Sequence, residues 1–148
     1  MNREDESARA VVRRLIEEVQ SGGDFRVFDE LFHPDFVDHT PFPGYEPTKE
    51  GARRIYQTFR AAFPDFRAAV HLQVIEGGRV TSFKTYEGTH LGRFMGLSPT
   101  GRTVAFPIMD IVGVRDGRIV EHWGVPHVWS LVQQLGVRSF DELEETAR

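Results

Sequence analysis

The 148-residue chain has no cysteine, which removes disulfide frameworks, thiol nucleophiles and cysteine-based zinc sites from consideration. It also lacks a basic excess. With a net charge of -4 and a pI near 5.9, nothing drives the counterion release on which nucleic-acid backbone binding depends. No apolar run is long enough to span a bilayer, and the opening "MNREDESARAVVRRL" is too charged for a signal peptide. A cytoplasmic location with no membrane partner is the resulting expectation. Gly92, Gly96 and Gly101 fall between two predicted strands with no helix start after them, so they do not form a phosphate loop. The six histidines show no metal-ligand spacing. His122 and His127 differ in parity along one predicted strand and cannot both face one ion. Neither a metal nor a cofactor is expected.

What is abundant is bulky apolar material. Twelve phenylalanines within a 40% hydrophobic chain are enough for one domain with a single substantial core or a lined pocket. Ala8, Val11, Val12, Leu15, Ile16 and Val19 recur at helical spacing, and Ser21 to Gly23 stops that helix. Asp24 offers a cap for a short helix burying Phe28, Leu31 and Phe32. The proline-rich stretch that follows predicts irregular chain, with an extended piece around Phe36 to His39. Thr48 opens a helix whose inward stripe is Ala52, Ile55, Tyr56, Phe59 and Phe63, and Pro64 stops it.

After Pro64 the period changes from helical to alternating. Phe66, Ala68, Val70, Leu72 and Val74 alternate with mostly polar residues and predict a half-buried strand. Further strands are predicted over Val80 to His90, Arg102 to Val114 and Ile119 to His127. A short amphipathic helix over "VWSLVQQLG" follows, and "SFDELEETAR" offers a last polar helical turn. The pattern is α+β, with helices mostly first and antiparallel strands mostly last.

The Asp116–Gly117 pair favours a two-residue hairpin. Counting outward from it, Arg115 faces Arg118, Val112 faces Glu121, Asp110 faces Trp123, Ile108 faces Val125 and Phe106 faces His127. Phe106, Ile108, Asp110, Trp123, Val125 and His127 then share one face, which its large apolar groups mark as the one covered by helices, with two ionisable groups among apolar neighbours. A one-residue slip would move the slipped strand to the opposite face. On the preceding strand the same counting puts His90 on the side of Lys84 and His71, away from the core, unless a bulge near Gly88 re-aims it.

Three blocks carry a resemblance: "FHPDFVDHTP" (Phe32 to Pro41), "EGTHLGRFMGLSPTGRTV" (Glu87 to Val104) and "RDGRIVEHWGVPHVWSLVQQLG" (Arg115 to Gly136). They resemble the signature blocks of SnoaL-like polyketide cyclases, in order and spacing, over nearly the whole chain. The resemblance implies an NTF2-like cone, a curved antiparallel sheet wrapped by N-terminal helices around an apolar pocket. It further implies cofactor-independent aldol ring closure of an aromatic polyketide ester, an aspartate near the end of the last strand as acid/base, and packing into a homodimer or larger homo-oligomer. Here the residue four after Trp123 is His127 where the family usually has that aspartate.

The expected chemistry is acid/base cyclisation or isomerisation of a small hydrophobic carbonyl compound. His127 and Asp110 are the candidates for proton transfer and His39 for positioning a carbonyl. Trp123, Tyr56, Phe106 and Ile108 are the candidate walls. His90 matches a recurrent family histidine and is a candidate contact, though a structural role suits its register better. The departure at His127 motivates an alternative, a non-catalytic small-molecule-binding or self-associating module of the same fold.

Overall fold

Helix starts follow the capping residues the chain offers. In the computed structural model, which describes residues 1–142, α1 (Arg3–Arg14) begins where the Asn2 side chain accepts from the Asp5 amide. Its apolar stripe buries Ala8, Val11 and Val12, and it continues as a π-helical segment, Leu15–Gln20. The π segment ends with the carbonyls of Gln20 and Ser21 accepting from the Arg60 guanidinium at 2.7 and 3.1 Å, which satisfies terminal groups that have no intrahelical partner. Asp24 accepts from the amides of Arg26 and Val27 and opens α2 (Phe25–Leu31). Thr48 accepts from Gly51 and opens α3 (Lys49–Ala62), which ends just before Pro64. The polar turn expected over residues 139–148 lies mostly outside the described residues.

The strands are β1 (Phe32–Asp38), β2 (Arg67–Glu76), β3 (Arg79–Thr89), β4 (Thr103–Arg115) and β5 (Arg118–Pro126), followed by α4 (Val128–Gln134). They form one curved five-stranded sheet in the order β1-β5-β4-β3-β2. β1 runs parallel to β5 and the other neighbours are antiparallel. The N-terminal helices cover the concave face, where Ala8, Val12, Leu15 and Phe28 pack with Val80, Val112 and Ile119. A second cluster, built on Phe59, Phe63, Tyr86, Phe106 and Leu131, fills the other end of the cone. Asp5 ties α1 to the β2–β3 turn by accepting from the buried Gly78 amide at 2.9 Å. Among the described residues no helix is long and apolar enough to cross a membrane.

Two bulges overturn the faces expected from simple alternation. In the terminal hairpin Arg115 faces Arg118 and Val114 faces Ile119, but Gly113 then faces Glu121, so Val120 is an extra residue. From that point Asp110 faces Gly124 and Val112 faces His122. The bulge turns His122 inward and Trp123 outward, because side chains alternate with a period of two. In β2 the register shifts between Val70 and Leu72, after which Leu72 and Val74 point out of the cone and are each 60% exposed. The interior face of β3 is instead Val80, Ser82, Lys84, Tyr86 and Gly88, and His90, just past its end, has no exposure at all. The side containing Lys84 and His90 is thus the core side.

Candidate active site

The sheet brings two carboxylates and two basic groups together inside the cone. Lys84 on β3 and Asp110 on β4 both point inward with side chains 1% exposed, and Lys84 Nζ donates to Asp110 Oδ2 at 2.8 Å. On the next strand, His122 Nε2 stands 3.6 Å from the same Asp110 oxygen. β1 supplies the fourth member, since Asp38 lies opposite His122 in the parallel register. Asp38 Oδ1 is 3.2 Å from His122 Nδ1 and also accepts from the Thr40 amide at 3.0 Å. The row Asp38–His122–Asp110–Lys84 alternates acidic and basic groups.

Helical residues extend the row. Lys84 Nζ also donates to Gln20 Oε1 at 3.3 Å, and Gln20 Nε2 donates to the Tyr56 hydroxyl oxygen at 3.1 Å. Gln20 is buried at the end of the π-helical segment. Such segments often occur where a helix serves a site. Asp110 Oδ1, fully enclosed, has no hydrogen-bond partner among the described residues.

Burial disfavours the charged forms of Asp110, Asp38 and His122, yet their neighbours outweigh it. Burial alone would raise the Asp110 pKa, but the Lys84 charge and the His122 contact hold it below the ordinary carboxylate value. Asp38 behaves likewise, with the bonds from His122 and Thr40 overcoming burial. Burial would lower the His122 pKa, whereas its contacts with the Asp110 and Asp38 carboxylates raise it above the usual imidazole value. A carboxylate beside each ring nitrogen thus favours the imidazolium form of His122. Burial pushes the Tyr56 and Tyr86 hydroxyls well up, so both remain neutral phenols.

A pocket opens beside this row. Its apolar wall includes Leu15, Phe32, Phe36, Ile55, Phe59, Phe66, Ile108 and Ile119, and its polar edge is made by Asp38, Thr40, Tyr56, Tyr86 and His122. Asp38 carries its three hydrogen bonds, from Thr40 and His122, on Oδ1, which leaves Oδ2 as the acceptor for a bound molecule. Tyr56 accepts from Gln20 and so has its own O–H to donate. Among the described residues no group of three or more His, Asp or Glu side chains is arranged to hold a metal ion.

The sequence-derived candidates separate into two groups. Asp110 points into the interior, and Tyr56 and Ile108 line the pocket. His127 does not reach it. Pro126 ends β5, and His127 is the exposed cap of α4, its Nδ1 accepting from the Ser130 amide at 3.0 Å. Trp123 and His39 face outward, where their rings stack at 4.2 Å and 10°. Arg79 lies 5.8 Å from the indole, and Glu121 bridges Arg79 and His39 at 3.0 and 3.3 Å. Phe106 is buried behind the pocket, edge-on to Tyr86 at 5.7 Å. His90 is also buried away from the pocket, against Phe63, with Nδ1 accepting from the Thr100 amide at 3.2 Å.

Sequence reasoning missed His122, Lys84, Gln20 and Asp38. For Asp38 the signal existed, because adjacent residues of an extended piece cannot both face the pocket, and the interior one is Asp38 rather than His39. For His122 it did not, since the Val120 bulge leaves no mark in the hydrophobic pattern.

The comparisons agree with this architecture. Residues 10–135 match the family described as SnoaL-like polyketide cyclase. Nogalonic acid methyl ester cyclase of Streptomyces nogalater is 26% identical over 110 residues, spanning 73% of this chain and 82% of that protein. The crystal structure of IdmH, a candidate polyketide cyclase from Streptomyces antibioticus, superposes with a TM-score of 0.77 at 35% identity, covering 88% of this chain and 99% of that one. A candidate SnoaL-like polyketide cyclase from Jannaschia sp. CCS1 shares the fold, with a TM-score of 0.83 at 20% identity over 94% of this chain and 98% of that one.

The buried pair yields a direct stability test. Lys84→Met leaves Asp110 without its strongest cation and is expected to cost about 3–5 kcal/mol in urea unfolding. Adding Asp110→Leu is expected to recover most of that loss, because the uncompensated charge is gone.

Proposed function

Because the chain belongs to the SnoaL-like polyketide cyclase family, we propose that it is a cofactor-independent acid/base enzyme. In this reading it closes a ring of an aromatic or polycyclic carbonyl compound by intramolecular aldol chemistry, through Asp38 and His122. The observation that carries the reading is the 3.2 Å Asp38–His122 contact at the edge of an otherwise apolar pocket.

The chemistry follows from which group holds the proton. Asp38, a carboxylate at neutral pH, takes a proton from the carbon next to a substrate carbonyl and leaves an enolate. The Tyr56 hydroxyl donates to the enolate oxygen, where negative charge gathers, and a dry wall strengthens that bond. The enolate carbon then attacks a second carbonyl of the same molecule, forming the ring bond and an alkoxide. Asp38 then returns the proton it took, from Oδ2, to the alkoxide, while His122 keeps its own protons and holds the carboxylate through Nδ1. The net proton count is unchanged. Asp110 and Lys84 contribute by keeping the imidazolium paired and in place.

Both groups must be in these forms, which sets the pH dependence. Asp38 titrates below, and His122 above, its ordinary value. With nogalonic acid methyl ester or a similar aromatic polyketide ester as the assayed compound, kcat/KM is expected to hold a plateau between the two titrations. It should fall on the alkaline side only above about pH 6.5, and on the acid side only below about pH 3.9. His122→Asn and Asp38→Asn are expected to lower kcat about 10²–10⁴-fold with little change in ligand affinity, while His127→Ala leaves kcat within about twofold. A purely ligand-binding module of the same shape would bind such esters without turnover, and both Asn variants would act on affinity alone.

The outer sheet face supports a second proposal, that the protein is a homodimer. Leu72 and Val74 of β2, Phe83 of β3, Met109 of β4 and Val125 of β5 form an exposed apolar surface, with Val125 73% exposed. A contiguous patch of this kind on a soluble chain marks an association site. Light scattering after size exclusion is expected to give twice the chain mass of 16.9 kDa, and Met109→Glu with Val125→Glu is expected to give the monomer.

A further inference from the structure

Gly124 lies on β5 directly opposite Asp110 and two residues beyond His122, on the same interior face. The His122 ring leans along the strand over this glycine to approach Asp110 on the neighbouring strand. A Cβ at position 124 would stand 2.7 Å from His122 Cε1 and 3.0 Å from Nε2, and 3.6 Å from Asp110 Cβ. The first distance is shorter than carbon atoms tolerate, so the ring would have to move. The methyl would occupy the space between the imidazole and Asp110, across which the Nε2–Oδ2 contact already measures 3.6 Å. Gly124 has no positive-φ conformation to explain it, so its backbone does not require glycine. Its surroundings do.

We propose that Gly124 is a positioning residue, whose missing side chain is the seat that lets the His122 imidazole reach Asp110. The seat works through neighbours on both sides. Asp38 on β1 holds Nδ1 and fixes one end of the ring, and Lys84 on β3 holds Asp110 in place. The bare strand between them decides whether the other end closes. A larger residue at position 124 leaves His122 attached to Asp38 alone. Its bearing on proton transfer rests on the acid/base reading above, whereas the seating itself does not.

The experiment therefore reads the ring and needs no substrate. The His122 titration is followed by NMR in the full-length protein and in Gly124→Ala, Asp110→Asn and the double variant. Gly124→Ala is expected to lower the His122 pKa, and to produce no further lowering once Asp110→Asn is present. An unchanged pKa in Gly124→Ala, or an equal drop in the Asp110→Asn background, would overturn the proposal. Should Gly124→Ala alone not fold, His122→Ala supplies the second reading. With the ring removed, adding Gly124→Ala is expected to leave Tm unchanged, because the methyl then has room. A Tm loss from Gly124→Ala in that background would show that something other than the imidazole needs the glycine, and would equally sink the idea.

Discussion

Two carboxylates inside an apolar cone are tolerable only if cations accompany them. An isolated ionised group moved out of water loses several kcal/mol of solvation even after relaxation. Asp110 is almost fully enclosed, and the chain answers with Lys84 at 2.8 Å on one side and His122 on the other. Asp38 in turn gives the imidazolium its second counter-charge. The whole interior face is arranged around this alternation of sign. The strand register brings its members together, and the row leaves the pocket with a polar edge inside an apolar wall.

Bulges make the alternation geometrically possible. Without the extra Val120, the indole of Trp123 would project toward Asp110 and His122 would project outward. With it, the indole joins His39, Arg79 and Glu121 on the outside, where Glu121 crosses over Gly113 to reach Arg79. Gly124 on the inner face and Gly113 on the outer face thus do parallel jobs. Each leaves open backbone over which a longer side chain from the same hairpin lies.

The elements were legible because they rest on local chemistry. Asp24 and Thr48 cap their helices, Pro64 terminates α3, and Asp116–Gly117 turns the last hairpin with both residues at positive φ. The family was also legible, since its blocks lie in contiguous stretches. The faces were harder to read. Polarity normally marks the outside of a strand, yet here Ser82, Lys84, His90 and Asp110 are buried while Leu72, Val74 and Val125 are exposed. A polar row in the interior and an apolar exterior invert the usual pattern, and two register shifts that no residue announces complete the inversion. Asp110, Tyr56 and Ile108 were placed inside because β4 and α3 keep their simple periods. Trp123 was misplaced because β5 slips at Val120, His127 because β5 ends at Pro126, and His39 because its neighbour Asp38 takes the inward position.

The ionisation of His122 tests the account most directly. Long-range nitrogen–proton NMR of the imidazole at pH 7 distinguishes the ring carrying two protons from either neutral tautomer. A doubly protonated ring is predicted, with Nδ1 bonded to Asp38 and Nε2 paired with Asp110. A neutral His122 at that pH, with one ring nitrogen bare, would contradict it, because the interior would then hold more negative than positive charge.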